Sequence, residues 1–199
     1  MTQTIDTLFT NAHVLTMDDK MNQYKRGAVA VLGDSIVAVG NEDELKKEYS
    51  AKEIIDCKGK VLMPGMVNAH THVPMTLLRG IADDLRLDVW LQGYMWPVER
   101  QFASPEFVRL GTSIACAELI KSGVTTFNDM YFYEDDVATA TANAGMRGVC
   151  GQSILKFPTP DAASYDACTK TSSRPPAGRS SSRTSRKIPE SHHMSWSSR

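Results

Sequence analysis

The hydrophobic pattern changes character at Pro64-Gly65. Before that point, small and β-branched residues dominate two runs, Thr7–Met17 (TLFTNAHVLTM) and Gly27–Val39 (GAVAVLGDSIVAV), which read as strands, with Gly33-Asp34 as a hairpin turn in the second. Asn41 is placed to cap a short helix through EDELKKEY, and KEIID, the turn Lys58-Gly59-Lys60 and VLM read as a further strand pair. These sixty or so residues form a β-rich leader with no catalytic cluster. After Pro64-Gly65, Met66–Ala69 is a short apolar strand ending in His70-Thr71-His72, and a stretch rich in Leu, Arg, Asp and Trp runs on to Pro97. Ser104 as N-cap and Pro105 in the first turn then predict a helix reaching about Lys121, closed by Gly123. Phe107, Leu110, Ile114, Ala117 and Ile120 recur on one face of that helix, which is expected to face the core. Val124–Asp129 (VTTFND) is the next strand, residues 134–144 the next helix with Gly145 as its stop, and Met146–Leu155 a third strand. Strand, helix, strand, helix, strand predicts an α/β fold with a parallel sheet and helical crossovers.

Composition sharpens a second boundary. The 199 residues carry a formal charge of −1, but residues 169–199 hold seven Lys/Arg against one Glu, leaving −7 on residues 1–168. Those last 31 residues contain ten Ser and only Ile188 and Met194 as large aliphatics, too little apolar surface to offset the entropy of ordering. Residues 167–199 are therefore expected to be a disordered, basic, Ser/Arg-rich tail. A shifted reading frame or aberrant terminus explains the switch better than a nucleic-acid-binding arm, since only Trp196 interrupts the basic run with an aromatic ring. His192 and His193 lie in that tail and carry no assigned role. The four cysteines, Cys57, Cys116, Cys150 and Cys168, show no CxxC spacing and read as reduced, mostly buried thiols. No charged, apolar leader and no run of eighteen apolar residues is present, so a cytoplasmic location is expected, without membrane or nucleic-acid partners.

His70-Thr71-His72 is the strongest chemical signal. On a strand, residues i and i+2 project from the same side, so both imidazoles can converge on one ion at a strand's carboxyl end. Imidazole pairs suit zinc, iron or nickel.

In this setting PGMVNAHTHVPMTLLRGIADDLRLDVWL at 64–91, with Trp96-Pro97-Val98-Glu99, SGVTTFNDMYF at 122–132 and AGMR at 144–147, resembles the amidohydrolase superfamily. The resemblance is to the branch holding 5′-methylthioadenosine/S-adenosylhomocysteine deaminases and s-triazine chlorohydrolases, and it covers about residues 4–166. It implies a (β/α)8 barrel flanked by a small β-sandwich, with residues 1–63 as the N-terminal part of the sandwich and 64–166 as the first three barrel strands. It also implies one divalent metal ion, zinc ahead of iron, on His70 and His72 plus later histidines and an aspartate. The metal-activated water would attack an electron-poor ring carbon of a small nucleoside or heteroaromatic substrate and displace ammonia. Glu99 matches the position at which nucleoside deaminases bind ribose hydroxyls.

Secondary expectations are structural. Arg79 pairs with Asp83 or Asp84, Trp90 and Trp96 serve as lid or core aromatics, Asp129 supports the histidines, and His13 is an ordinary strand residue. The stretch from Pro64 to Asp166 supplies 103 residues, against roughly 250 for a closed barrel. The catalytic acids and remaining metal ligands have no counterpart in this chain. It is therefore expected to be an N-terminal fragment of such a hydrolase, inactive alone; the alternatives are a non-catalytic fragment that binds metal weakly and a guanine deaminase or triazine chlorohydrolase relative.

Overall fold

The computed structural model describes residues 2–167; apart from Ala167, the expected disordered tail lies outside them. The leader forms one five-stranded sheet around β1 (Gln3–Leu15). On one side β2 (Gln23–Leu32) pairs antiparallel with β1, Phe9 opposite Val29, and β3 (Ser35–Asn41) completes a hairpin with β2. Gly33 turns that hairpin at φ 60°, a left-handed conformation that a Cβ would disfavour. Buried Ala28 and Ala30 face Ile5, Leu8 and Leu45, while Val29 points to the opposite face with Ala12 and Val14, as strand alternation requires.

Helix α1 (Glu42–Glu48) follows Asn41, but the Asn41 side chain makes no capping bond. Glu42 takes over the anchoring: its buried carboxylate accepts the Asn11 backbone N–H at 3.1 Å and pairs with Lys46 and Arg26. The expected pairing of KEIID with VLM is also replaced. β4 (Tyr49–Asp56) and β5 (Val61–Leu62) both run parallel to β1, the first ending opposite Thr10 and the second pairing with His13-Val14. The reason lies in the connecting turn. Cys57 and Gly59 donate backbone N–H bonds to Thr10 and Asn11, and Lys60 accepts one from His13, so the chain never leaves the edge of β1.

The second sheet is parallel throughout, in the order β6 (Met66–Thr71), β7 (Val124–Tyr131), β8 (Arg147–Gln152). Between β6 and β7 lie a 3-10 turn at Val73–Leu78, α2 (Leu87–Trp90), a π-helical turn at Leu91–Met95, α3 (Trp96–Phe102) and α4 (Pro105–Lys121). α5 (Glu134–Asn143) connects β7 to β8. Ser104 Oγ accepts the Phe107 N–H at 3.2 Å to start α4, and Gly123, at φ 79°, ends it.

The face that α4 buries differs from the expected one. Val108, Gly111, Thr112, Ala115 and Cys116 point inward, whereas Leu110, Ile114 and Ile120 are 56, 37 and 52% exposed. Close approach selects the face: a Cβ on Gly111 would sit 2.4 Å from the carbonyl oxygen of Pro74. Small residues let the helix lie directly against the 3-10 turn that follows the histidine motif, and larger aliphatics on the other face would hold it away. Phe127, Val108 and Val137 are fully buried at the centre of this half, each worth about 1.5–3 kcal/mol relative to exposure. The architecture is α/β. Among the described residues no helix is long and apolar enough to cross a membrane.

Candidate functional site

The carboxyl ends of β6 and β7 assemble the site. Along β7, Phe127, Asp129 and Tyr131 are buried while Asn128 and Met130 are exposed, the period of two that separates the helix-covered face of a sheet from the open one. Thr71 sits opposite Asp129 in the parallel register, and its hydroxyl lies 2.7 Å from Asp129 Oδ1. Because Thr71 turns toward the covered side, His70 and His72 on either side of it project together to the open side.

There the two rings meet at 87°, with Nε2 atoms 3.3 Å apart. Nδ1 of His72 lies 2.6 Å from the Met130 carbonyl oxygen, so Nδ1 carries the proton and Nε2 presents its lone pair. A proton from His70 Nε2 or a cation can occupy the space between them. Two nitrogens each 2.0–2.1 Å from one tetrahedral zinc are themselves about 3.3 Å apart, and a ligating histidine normally donates its other N–H to a carbonyl or carboxylate. The pair therefore fits a divalent metal in spacing and in tautomer. Among the described residues no group of three His, Cys, Asp or Glu side chains comes together to hold a metal.

Behind His72 lies a buried acidic cluster that the sequence signalled only in part. Asp129, 1% exposed, accepts both the Thr71 hydroxyl and the Val73 backbone N–H at 2.7 Å through Oδ1, while Oδ2 has no hydrogen-bond partner. Glu134, the first residue of α5, is also buried, and neither of its oxygens has one. Burial, reinforced by the nearby Asp129 charge, pushes the Glu134 carboxyl up to about 8. Burial also raises Asp129, but the donors at Thr71 and Val73 oppose that shift. Burial thus disfavours charge on both carboxyls, and only Asp129 has donors that offset it. The same burial pushes the Cys150 thiol up to about 12; Cys57, Cys116 and Cys150 are all free thiols. Nothing in the run Glu134-Asp135-Asp136 distinguished Glu134 from an ordinary acidic first turn, and the detectable hint was its spacing five residues beyond a strand-end aspartate.

Glu99 lies on α3 and is 6% exposed. Burial raises its carboxyl above the usual range, with Tyr131 and His72 offsetting part of the shift. The Tyr131 hydroxyl is buried beside Glu99, and burial together with the Glu99 charge holds the phenol well above its ordinary range. Glu99 lines a small cavity with Trp96, Phe132 and Phe157, and the Trp96 and Phe157 rings lie 5.0 Å apart. Trp90 borders a separate hollow with Met75 and Met95.

Arg79 departs from expectation: it forms a two-pronged pair with Glu118 of α4, at 3.1 and 2.7 Å, instead of meeting Asp83 or Asp84. The 3-10 turn lies flat on α4, which directs Arg79 along the helix. His13 is a strand residue, with a buried Nε2 that lacks a partner.

The chain is 45% identical over 159 residues to 5-methylthioadenosine/S-adenosylhomocysteine deaminase 1 of Syntrophus aciditrophicus, covering 80% of this chain and 36% of that protein. It is 42% identical over 152 residues to a 5'-deoxyadenosine deaminase of Methanosarcina mazei, covering 76% of this chain and 34% of the relative. The crystal structure of an adenosine deaminase from Xanthomonas campestris with bound zinc superposes with a TM-score of 0.82 at 40% identity, over 86% of this chain and 39% of that one. The chain thus spans little more than a third of the length of the curated relatives it matches. The amidohydrolase family model matches residues 61–190, past the composition change at Cys168 where the resemblance was expected to stop. With more than half of its residues inside that match, the chain belongs to the amidohydrolase family.

Proposed function

We propose that this chain contributes to a metal-dependent hydrolase of non-peptide carbon–nitrogen bonds, one that deaminates adenosine-type nucleosides such as methylthioadenosine or S-adenosylhomocysteine. In this reading β6, β7 and β8 are three strands of a (β/α)8 barrel, the leader sheet belongs to a small β-sandwich, and His70 and His72 are two of the metal donors. The observation that carries it is the pair of Nε2 atoms 3.3 Å apart, with His72 Nδ1 tied to the Met130 carbonyl. The names of relatives at 42 and 45% identity support the substrate class. When bound, a divalent ion, zinc ahead of iron, supplies an acidified water for attack on an electron-poor ring carbon.

The chain's own residues hold and orient. His72 keeps its lone pair on the open face because its other nitrogen is committed to a backbone carbonyl. Glu99, buried beside aromatic walls, offers a carboxyl for sugar hydroxyls, and Trp96 and Phe157 exclude water from that side.

A second reading has its own support. Two imidazoles without a third donor among the described residues bind metal weakly and leave proton transfer unprovided. On this reading the 199-residue polypeptide alone is non-catalytic. A guanine deaminase or triazine chlorohydrolase relative remains the enzymatic alternative. Zinc titration with a competing chromophoric chelator, together with ammonia release from methylthioadenosine, S-adenosylhomocysteine and guanine, separates these readings. The expected result for the isolated chain is less than one tightly held zinc and no release above background. Turnover that disappears in His70→Ala would overturn the non-catalytic reading, and the substrate turned over would choose among the enzymatic ones.

A further inference from the structure

Three features of the cluster behind the histidines converge on one function. The first is that a single oxygen, Asp129 Oδ1, accepts from both residues that flank His72: the Thr71 hydroxyl and the Val73 backbone N–H, each at 2.7 Å. That double bond pattern fixes the direction of the chain on both sides of His72, and so decides whether Nδ1 can meet the Met130 carbonyl at 2.6 Å.

The second feature is the placement of Glu134. Two buried carboxyl groups with three unpartnered oxygens between them would be strongly disfavoured if both were charged. One proton between the two groups removes that conflict, and the geometry that reaches His72 runs through Asp129, which holds both donors.

The third is local strain. Tyr133, immediately before Glu134, takes the left-handed conformation at φ 54°, unusual for a bulky residue. Two bonds hold it there: its N–H donates to Asp161 Oδ2 at 3.0 Å and its hydroxyl to the Pro160 carbonyl at 2.7 Å. This turn is what starts α5 with Glu134 directed inward. A loop at 159–161 thereby supports a carboxyl that supports Asp129.

We propose that buried Asp129, clamping Thr71 and Val73 through one oxygen with Glu134 buried behind it, positions His72, keeping its imidazole in the Nδ1–H form with Nε2 aimed at His70. The metal consequence rests on the reading of His70 and His72 as donors; the tautomer consequence does not, because it concerns the metal-free chain. Asp129 is a positioning residue and touches no reacting atom.

The experiment is long-range proton–nitrogen NMR of the imidazoles in the full 199-residue chain labelled with 15N, first without metal and then during titration with zinc. Wild type is expected to show His72 with its proton on Nδ1. Asp129→Ala is expected to mix the two tautomers and weaken zinc binding by about 10–100-fold, the usual effect of losing a group that supports a ligand. Asp129→Asn, which keeps the accepting oxygen, and Glu134→Gln, which keeps a neutral donor, are expected to retain the wild-type tautomer. If Asp129→Ala does not fold, Thr71→Val removes one of the two clamping bonds and serves in its place, with a partial shift expected.

An unchanged His72 tautomer in a folded Asp129→Ala or Thr71→Val chain would overturn the proposal. A tautomer that follows Asp129 while zinc leaves both imidazole signals untouched would uphold positioning and defeat the metal assignment. The two failures are therefore distinguishable.

Discussion

The leader sheet and the β6–β8 sheet are built from the same chemistry and treat buried polar groups in opposite ways. In the leader the buried carboxylate is matched, Glu42 meeting Lys46, Arg26 and the Asn11 N–H, and outside the core Asp6 likewise meets Lys52 and the Gly33 N–H. Of the six buried side-chain atoms without partners among the described residues, only His13 Nε2 belongs to the leader. The other five sit on Thr112, Asp129, Tyr131 and Glu134, on or beside β7. Unmatched polar burial is unfavourable wherever it occurs, and in this chain it is concentrated on and beside the strand that packs against the histidine motif.

Ionisation divides the two halves in the same way. Hydrogen bonds and Lys52 hold Asp6 below the ordinary carboxylate range, and the Lys46 bond does the same for Glu42. Burial instead raises Glu99, Asp129 and Glu134.

The largest test of this contrast is Phe127→Ala, which empties the centre of the second core and is expected to cost about 3–5 kcal/mol in urea unfolding. Hydrogen exchange should show β6–β8 loosening while β1–β4 keep their protection; equal loosening of both would mean that the halves do not differ in local stability. Next in size, Gly111→Ala drives a methyl into the Pro74 backbone and should cost about 1–3 kcal/mol in the same measurement. If His70 and His72 are metal donors as proposed, zinc affinity should fall with it, because Pro74 lies two residues beyond His72.

The pH dependence is opposite in sign in the two halves. Glu134 rises from 4.5 to about 8 on folding, so the folded state prefers its protonated form. Stability from this group is complete below about pH 4.5 and is lost as the pH climbs toward 8. Asp6 and Glu42, lowered on folding, contribute stability that is present near neutrality and lost as the pH falls below the ordinary carboxylate range. Chemical denaturation from pH 4 to 8 should therefore show a declining stability that Glu134→Gln flattens; a slope unaffected by that substitution would remove Glu134 as its source. Smallest of all, Lys52→Met breaks an ion pair exposed at the surface and should leave the unfolding midpoint unchanged within error. A measurable loss would show that the leader relies on its pairs more than their exposure allows.

Much of the fold was legible because local signals agreed with tertiary packing. Gly33-Asp34, the Ser104-Pro105 start and the Gly123 stop each mark where the chain turns. The histidine pair was legible because strand geometry puts i and i+2 together. The orientation of α4 was not, since hydrophobic spacing favoured Leu110, Ile114 and Ile120 while Gly111 and Ala115 made the close contact. Size complementarity with a turn 37 residues earlier is not encoded in periodicity. Nor was the partner of Arg79, because choosing Glu118 over Asp83 depends on where the turn lies on the helix. Glu134 escaped notice because one acidic residue among three looks the same until burial singles it out.

Met130 offers a caution about how such a site would appear in a substitution scan. Its side chain is 53% exposed on the open face, yet its carbonyl oxygen is what His72 Nδ1 bonds. Every amino acid brings the same carbonyl, so replacements at position 130 would score as tolerated and the position as dispensable. A contact made through the main chain is invisible to genetics at its own codon, and it surfaces only through neighbours that hold the strand in register, Thr71 and Asp129 foremost.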